Sequence, residues 1–396
     1  MSAGFAAADV SVSGDGKMGV VSSNDVMTFT NKMRIKFSGS GTTDAGLAFG
    51  GSFRANEAIA AEATGNSGSV FISGTFGKIT MGSVGSGDSE SVGQLAGVGL
   101  TSLGSGNSIS YSADGGNLGG LPGTEDATGA KVLYTYSAGA LTVNASTAQM
   151  TDGGATAYGI GGSYAAGALT VGLGYGVVDG VTLTGLNAYD TTVVTPVSAV
   201  SSGGVTTLAR AGSAAGFYAT SNLDASITDL SLSASYVMDN TTIKAIYQLK
   251  TVEASAASRA ETAYVAGTLT DATQVSLAAG TAFVRNHAAI NLSSTATSMG
   301  LSVVQKMDAL SLTAYGVNTT VDADSDLSAD NPTVSRYGIG FGYDLGGGAS
   351  VVGGWATVDA LTATAVTTAA TDGTLQTYSL TSVSADQWDL GLSFSF

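Results

Sequence analysis

Residues 158–178 read Tyr158-Gly159-Ile160-Gly161-Gly162-Ser163-Tyr164-Ala165-Ala166-Gly167-Ala168-Leu169-Thr170-Val171-Gly172-Leu173-Gly174-Tyr175-Gly176-Val177-Val178. Two folds compete for this stretch. It is 21 residues long and uncharged, so a hydropathy window takes it for a transmembrane helix, which needs about 20 apolar residues. Seven of those residues are glycine, and each glycine inside a helix costs roughly 1 kcal/mol relative to alanine. Leu169, Val171, Leu173, Tyr175 and Val177 occupy every second position, and Ala165-Ala166-Gly167 divides the stretch in two. Period-two apolarity on either side of a small-residue break describes a β-hairpin with one apolar face.

The same period runs outward in both directions. Val10, Val12, Met18 and Val20 alternate with Ser11, Ser13, Asp15 and Lys17; Phe29, Met33, Ile35 and Phe37 alternate with Thr30, Lys32, Arg34 and Lys36. Leu47, Phe49 and Phe53 oppose Ser52 and Arg54, and Leu230, Leu232 and Tyr236 oppose Ser231, Ser233 and Ser235. Trp388, Leu390, Leu392, Phe394 and Phe396 end the chain on an aromatic strand opposite Asp389, Ser393 and Ser395. Each segment has the length of a tilted strand crossing a bilayer, roughly 9–11 residues. Short turns fall at 41–44, 76–78, 137–139, 165–167, 239–241, 306–308 and 344–348, and longer polar loops at 85–129, 179–227, 321–332 and 359–383. Short connections at one end and long ones at the other are the layout of an outer-membrane barrel. About eighteen segments count as strands, with boundaries loose by ~2–4 residues.

Composition narrows the function. Charged residues are 11% of the chain, less than half of the ~25% usual in soluble domains. Fourteen Lys and Arg against thirty Asp and Glu leave a net charge of −16, which argues against a nucleic-acid partner. Glycine supplies 57 of 396 residues and proline 3. There is no cysteine and one histidine, His287, so disulfides, thiolate chemistry and an all-histidine metal site are excluded within one chain. The glycine runs lack the strand–turn–helix context of a nucleotide fingerprint, and no distinctive serine pairs with His287. No catalytic constellation is expected. Residues 1–8, ending Ala6-Ala7-Ala8, read as a signal-peptide remnant or expression residues, and 9–396 as a single all-β unit, a transmembrane antiparallel β-barrel. In lipid every backbone polar group must pair within the protein, so strands span only as a closed barrel. Lumen-side Ser, Thr, Asn, Gly, Lys and Arg suit a wide, watered interior rather than a dry core. A soluble sandwich or solenoid would also alternate, but no fixed repeat of 20–50 residues exists.

Several blocks resemble the general porins of α-proteobacteria, the Rhodobacter type: 12–20 (Val12-Ser13-Gly14-Asp15-Gly16-Lys17-Met18-Gly19-Val20), 37–50, 70–79, 133–140 (Leu133-Tyr134-Thr135-Tyr136-Ser137-Ala138-Gly139-Ala140), 343–350, and the terminal Phe396. The middle, about 179–330, matches in strand style alone. The resemblance implies sixteen strands, a homotrimer in outer-membrane lipid and lipopolysaccharide, and an inward-folded third external loop. It also implies passive diffusion of small hydrophilic solutes, without a required cofactor. The segment count exceeds sixteen because a hairpin near 260–285 is surplus. A structural surface β protein (adhesin or S-layer-like) and a substrate-specific channel are the alternatives.

A diffusion pore needs a charged constriction rather than a catalytic residue. Lys17, Lys32, Arg34, Lys36 and Arg54 share the lumen parity of the first three strands and form a basic wall. The loop 85–129 supplies Asp88, Glu90, Asp114, Glu125 and Asp126, and by resemblance it folds inward to face that wall. Opposed charges across a narrow gap make a transverse field. Asp322, Asp324 and Asp326 offer a weak calcium site at most, since the glycine and the bidentate glutamate of an EF-hand are missing.

Overall fold

The computed structural model describes residues 9–58, 68–115, 130–148, 155–189, 195–196, 218–256, 259–264, 282–287, 290–322, 331–366 and 377–396. Among them nineteen strands form. The first half of the chain gives β1 (Asp9–Ser23), β2 (Val26–Thr42), β3 (Ala48–Ala58), β4 (Gly68–Gly74), β5 (Gly77–Gly82), β6 (Ala130–Ala138), β7 (Leu141–Ala148), β8 (Thr156–Ala166), β9 (Leu169–Tyr189) and β10 (Thr195–Pro196). The second half gives β11 (Tyr218–Met238), β12 (Thr241–Ala256), β13 (Arg259–Tyr264), β14 (Ala282–His287), β15 (Ile290–Met307), β16 (Leu310–Asp322), β17 (Thr333–Gly346), β18 (Ala349–Val366) and β19 (Thr377–Ser395). Sixteen of them close a barrel in which every neighbour is antiparallel, and β19 returns to pair with β1. The segment count of eighteen is thereby corrected. The surplus hairpin is β13–β14, which pairs with β10 in a separate three-stranded sheet. Its residues form a β-hairpin, but its pairing partner is β10 rather than a strand of the wall.

The hairpin at 158–178 forms as read: β8 and β9 pair Tyr158 with Val177 and Ala166 with Leu169. Asn24 and Asp25, both at positive φ, make a two-residue turn between β1 and β2 at the long-loop end. The opposite end carries the short turns, including Gly139, Gly167 and Gly347, all at positive φ.

The period-two pattern sorts the side chains. Phe29, Val70, Ile160, Leu173, Leu232, Met299, Ile339, Leu390, Leu392 and Phe394 all lie exposed on the outer surface. Such a belt would be untenable in water and is matched to hydrocarbon. The intervening positions point inward. Asn144, Ser231, Gln248, Ser298, Ser302, Thr357 and Asp389 are buried there although polar. The strands alone make no dry core. The packed cluster of the molecule joins Val92, Leu95, Val98, Leu103, Ile109 and Tyr111 from the connection after β5 to Ile246, Tyr315, Val317 and Ala356 on the inner wall. The connection is therefore folded inside the barrel.

Candidate functional site: the lumen constriction

The chain leaves β5 and forms one short helix, α1 (Gly87–Val92), which lies against β7, β8 and β9. Glycines make that docking possible. A Cβ at Gly161 would come within 2.6 Å of Ser91 Cβ, and one at Gly174 within 2.8 Å of Asp88 Cβ. Gly87 N–H donates to Ser146 Oγ (2.8 Å) and Asn144 Nδ2 to Ser91 Oγ (3.0 Å). Side chains on this wall would hold the helix off it.

Beyond α1 the loop runs along the inner wall toward the barrel seam. Leu95 seats on Gly300, and Val98 on Gly338 and Gly340. Ala96 N–H donates to Ser302 Oγ (3.1 Å). At the far end Asp389 of β19 accepts from Leu100 N–H (2.9 Å), Thr101 N–H (2.6 Å) and Thr101 Oγ1 (2.7 Å). The chain then turns back. Gln94 exchanges two hydrogen bonds with the backbone of Ile109 (2.8 and 2.6 Å), Asn107 Nδ2 donates to Leu95 O (2.7 Å), and Tyr111 OH donates to Gly93 O (2.6 Å). The two limbs form an irregular ribbon with side-chain amides in place of a ladder. Cations strap the ribbon to the wall: Lys244 Nζ to Val92 O (2.7 Å), Lys250 Nζ to Ser110 Oγ (3.3 Å), Arg336 to Ser108 O (3.2 Å) and Lys17 Nζ to Leu100 O (3.1 Å).

Among the described residues the ribbon's contacts run along the inner wall from β7 round to β19 and reach β1 at Lys17 and Gly19. The lumen that these contacts leave open lies against β2 to β6. On that side the register sets Lys17 directly opposite Lys32, and Lys36 directly opposite Arg54. Like charges facing across adjacent strands are unfavourable, so this wall stores positive potential. The Arg34 guanidinium on the same row pairs with Asp15 (Nε to Oδ2 2.9 Å, Nη2 to Oδ2 2.8 Å), which cancels part of its charge. Lys78 sits on the same lumenal parity, 4.4 Å above the Phe71 ring. Sequence reading missed it, although its alternation with Ile79 was available.

The acidic group divides. In the sixteen-strand order, β8 and β9 are half a circuit from β1 and β2, so Glu90 and Asp114, both exposed, look across the lumen. Burial and the nearby Asp114 charge raise the Glu90 carboxyl above its ordinary pKa. Asp114 also caps the ribbon, accepting from Ser86 N–H (2.5 Å) and Ser89 Oγ (2.9 Å). Asp88 is corrected: it does not face the basic wall. It is fully buried between α1 and the glycines of β8 and β9, because helical geometry turns it to the opposite side of α1 from the lumen. Glu125 and Asp126 lie outside the described residues. So do Asp324 and Asp326, while Asp322 closes β16. Among the described residues no three acidic or histidine side chains converge as metal ligands.

The residues that fix the ribbon (Asp389, Asp229, Lys244, Lys250, Arg336) were not singled out as a site by the sequence. Asp229 stands at the head of a lumenal row of serines (Ser231, Ser233, Ser235) and Arg336 at the head of a row of glycines (Gly338, Gly340, Gly342), and a charge beside such a row is the signal that could have found these two.

Similarity to known proteins agrees with this geometry. The family model for Gram-negative porins matches residues 1–288. A porin of Rhodobacter capsulatus is 32% identical over 364 residues, spanning 89% of this chain and 95% of its own length. A refined porin structure superposes with a TM-score of 0.59 at 28% identity, covering 98% of this chain and all of the other. An anion-selective porin from Comamonas acidovorans shares the fold at 12% identity, with a TM-score of 0.57 and 98% coverage of this chain. A barrel with an apolar exterior, a watered interior and this ancestry belongs to the Gram-negative porin family, the passive channels of the outer membrane.

Proposed function

We propose that the lumen between the ribbon and β2–β6 is the size-limiting eyelet, and that it admits small hydrophilic solutes and ions with a weak preference for anionic groups. The observation carrying this reading is the lumenal row of Lys32 and Lys36 on β2, with Lys17 at the seam opposite Lys32 and Arg54 opposite Lys36. Glu90 and Asp114 across the gap complete a transverse field that favours dipolar over apolar solutes. No covalent step is required of any residue, and the reading is a channel rather than an enzyme. Replacing Lys32 and Lys36 together by serine should move the zero-current potential in a KCl gradient toward cation preference. Arg34→Ser should move it less, since Asp15 already offsets that charge. Unchanged selectivity in the double variant would refute the assignment.

We further propose a homotrimer, with its contact surface at β3–β6. β5 has 6 residues and ends at Gly82, where the described chain turns inward. At about 3.3 Å per residue and a tilt near 40°, it climbs only about 15 Å, short of a hydrocarbon layer about 30 Å thick. The outer face of this low wall still carries Phe49, Phe53, Val70, Ile72 and Met81 exposed, with Phe53 stacked on Phe37 at 5.1 Å. A neighbouring copy covers such a surface better than mismatched lipid.

A further inference from the structure

We propose that Asp88 is a proton-dependent latch: its neutral carboxyl lets α1 lie on the barrel wall, and its ionisation releases the helix and unsettles the constriction. This extends the reading of the ribbon as the eyelet's inner border.

The geometry is that of a crowded carboxyl pair. Asp88 is 0% exposed, and Asp229 of β11 is 1% exposed. A single point, the Cβ position at Gly176, would lie 2.8 Å from Asp88 Oδ2 and 2.9 Å from Asp229 Oδ2. Both carboxyls thus share the space that this glycine leaves open. Asp229 Oδ2 accepts from Ser112 N–H (2.7 Å), whereas neither oxygen of Asp88 accepts a hydrogen bond of good geometry, and the Ser86 hydroxyl and the Asp88 backbone N–H are the donors near it. A buried carboxylate so weakly served is costly; a carboxylic acid in the same place is not.

The surroundings supply too little positive charge for both to ionise. From β12 comes Lys250, 5% exposed and within electrostatic reach of Asp229, Asp88 and Asp114. From the ribbon's return limb come Asp114 and Tyr111; α1 adds Glu90 beside Asp114. β7 contributes Asn144 and Ser146, and β8 and β9 present glycines. One ammonium therefore serves several carboxyls. Burial first, and the Asp229 charge second, push the Asp88 carboxyl up to about 7.

The sign follows from linkage. The docked helix holds the proton and the released helix, with an ordinary carboxyl, gives it up, so raising the pH favours release. Docking is strongest in acid, weakens as the pH climbs through the docked value, and is flat above it. With a normal carboxyl near 3.8 on release, one proton changes the docking equilibrium by about 100-fold between pH 5 and pH 9, nearly all of it below pH 8.

The test is single-channel recording of the full-length protein in planar bilayers at symmetric pH from 5 to 9. Steady conduction at pH 5 checks the channel reading separately from the latch. The wild type should show conductance fluctuations that grow with pH and level off by pH 8. Asp88→Asn, neutral at every pH and equal in size, should remain quiet throughout. Asp229→Asn, which removes the neighbouring charge, should move the transition to lower pH and serves where the first variant does not assemble. A wild type whose fluctuations do not change with pH, or an Asp88→Asn channel that keeps the wild-type profile, overturns the latch.

Discussion

Gly174 sits on the lumenal face of β9 directly beneath α1. A Cβ there would lie 2.8 Å from Asp88 Cβ and 2.9 Å from Asp88 Cα and O. Carbon atoms in contact settle at about 3.5–4.0 Å, so even alanine asks the helix to rise by roughly 1 Å, and leucine asks for more. Sideways relief is closed. Gly161 and Gly172 hold Ser91 in the same way, with their Cβ positions 2.6 and 2.3 Å from its atoms. Overpacking of this kind costs about 1–3 kcal/mol. That is comparable with the two bonds from Gly87 N–H to Ser146 and from Asn144 to Ser91, each contributing about 1 kcal/mol. The strand is held by ladders on both sides, so the helix is what moves, and it moves into the lumen. Gly174→Leu should therefore fold and assemble as wild type, judged by heat-modifiable mobility in sodium dodecyl sulfate gels. Its single-channel conductance should be lower, and liposome-swelling rates should fall more for larger sugars than for small ones. Gly162→Ala is the control: it lies on the outer face, where the nearest atom to a new Cβ is 3.4 Å away, and it should conduct normally. A well-folded Gly174→Leu barrel with unchanged conductance and size dependence would refute the argument that these glycines set the position of α1.

Two further outcomes test the two faces of the wall. Leu390→Arg places a charge on the lipid face of β19, where Leu390 is exposed, and should lower folding stability in vesicles by about 2–4 kcal/mol if it sits near the midplane; Ser393→Arg, on the lumenal parity, should cost far less. Val70→Arg, on the low wall, should convert trimers to monomers on unheated gels while leaving the barrel heat-modifiable.

The barrel was legible because lipid and water act on alternate residues of every strand, and that alternation is written locally. Lys17, Lys32, Arg34, Lys36 and Arg54 follow it, and each falls on the face the parity assigns. Pairing partners are a different matter. Nothing local in Arg259–Tyr264 or Ala282–His287 says that they pair with Thr195–Pro196 instead of joining the wall. The interior of the loop was equally out of reach. Asp88 and Glu90 are two residues apart on a helix, so they face different directions; loop composition treats them alike, and the fold buries one and exposes the other.

The same limit explains why a count of lumenal cations overstates the charge of the pore. Parity sends Lys17, Lys32, Lys36, Arg54, Lys244, Lys250 and Arg336 inward without distinction. Their roles depend on which arc of the wall the ribbon covers. Under it, Lys244 and Arg336 spend their donors on the carbonyls of Val92 and Ser108, and Lys250 is almost wholly buried. Lys17 stands at the seam and binds Leu100 O. The doubled glycine content belongs to the same arrangement: Gly161, Gly174, Gly300, Gly338 and Gly340 trade side chains for close approach of the ribbon. A wide barrel of sixteen strands leaves an interior that its own side chains do not fill. This chain fills it with a loop on one side, and the arc left open by the described residues, cationic by register, is the passage we propose.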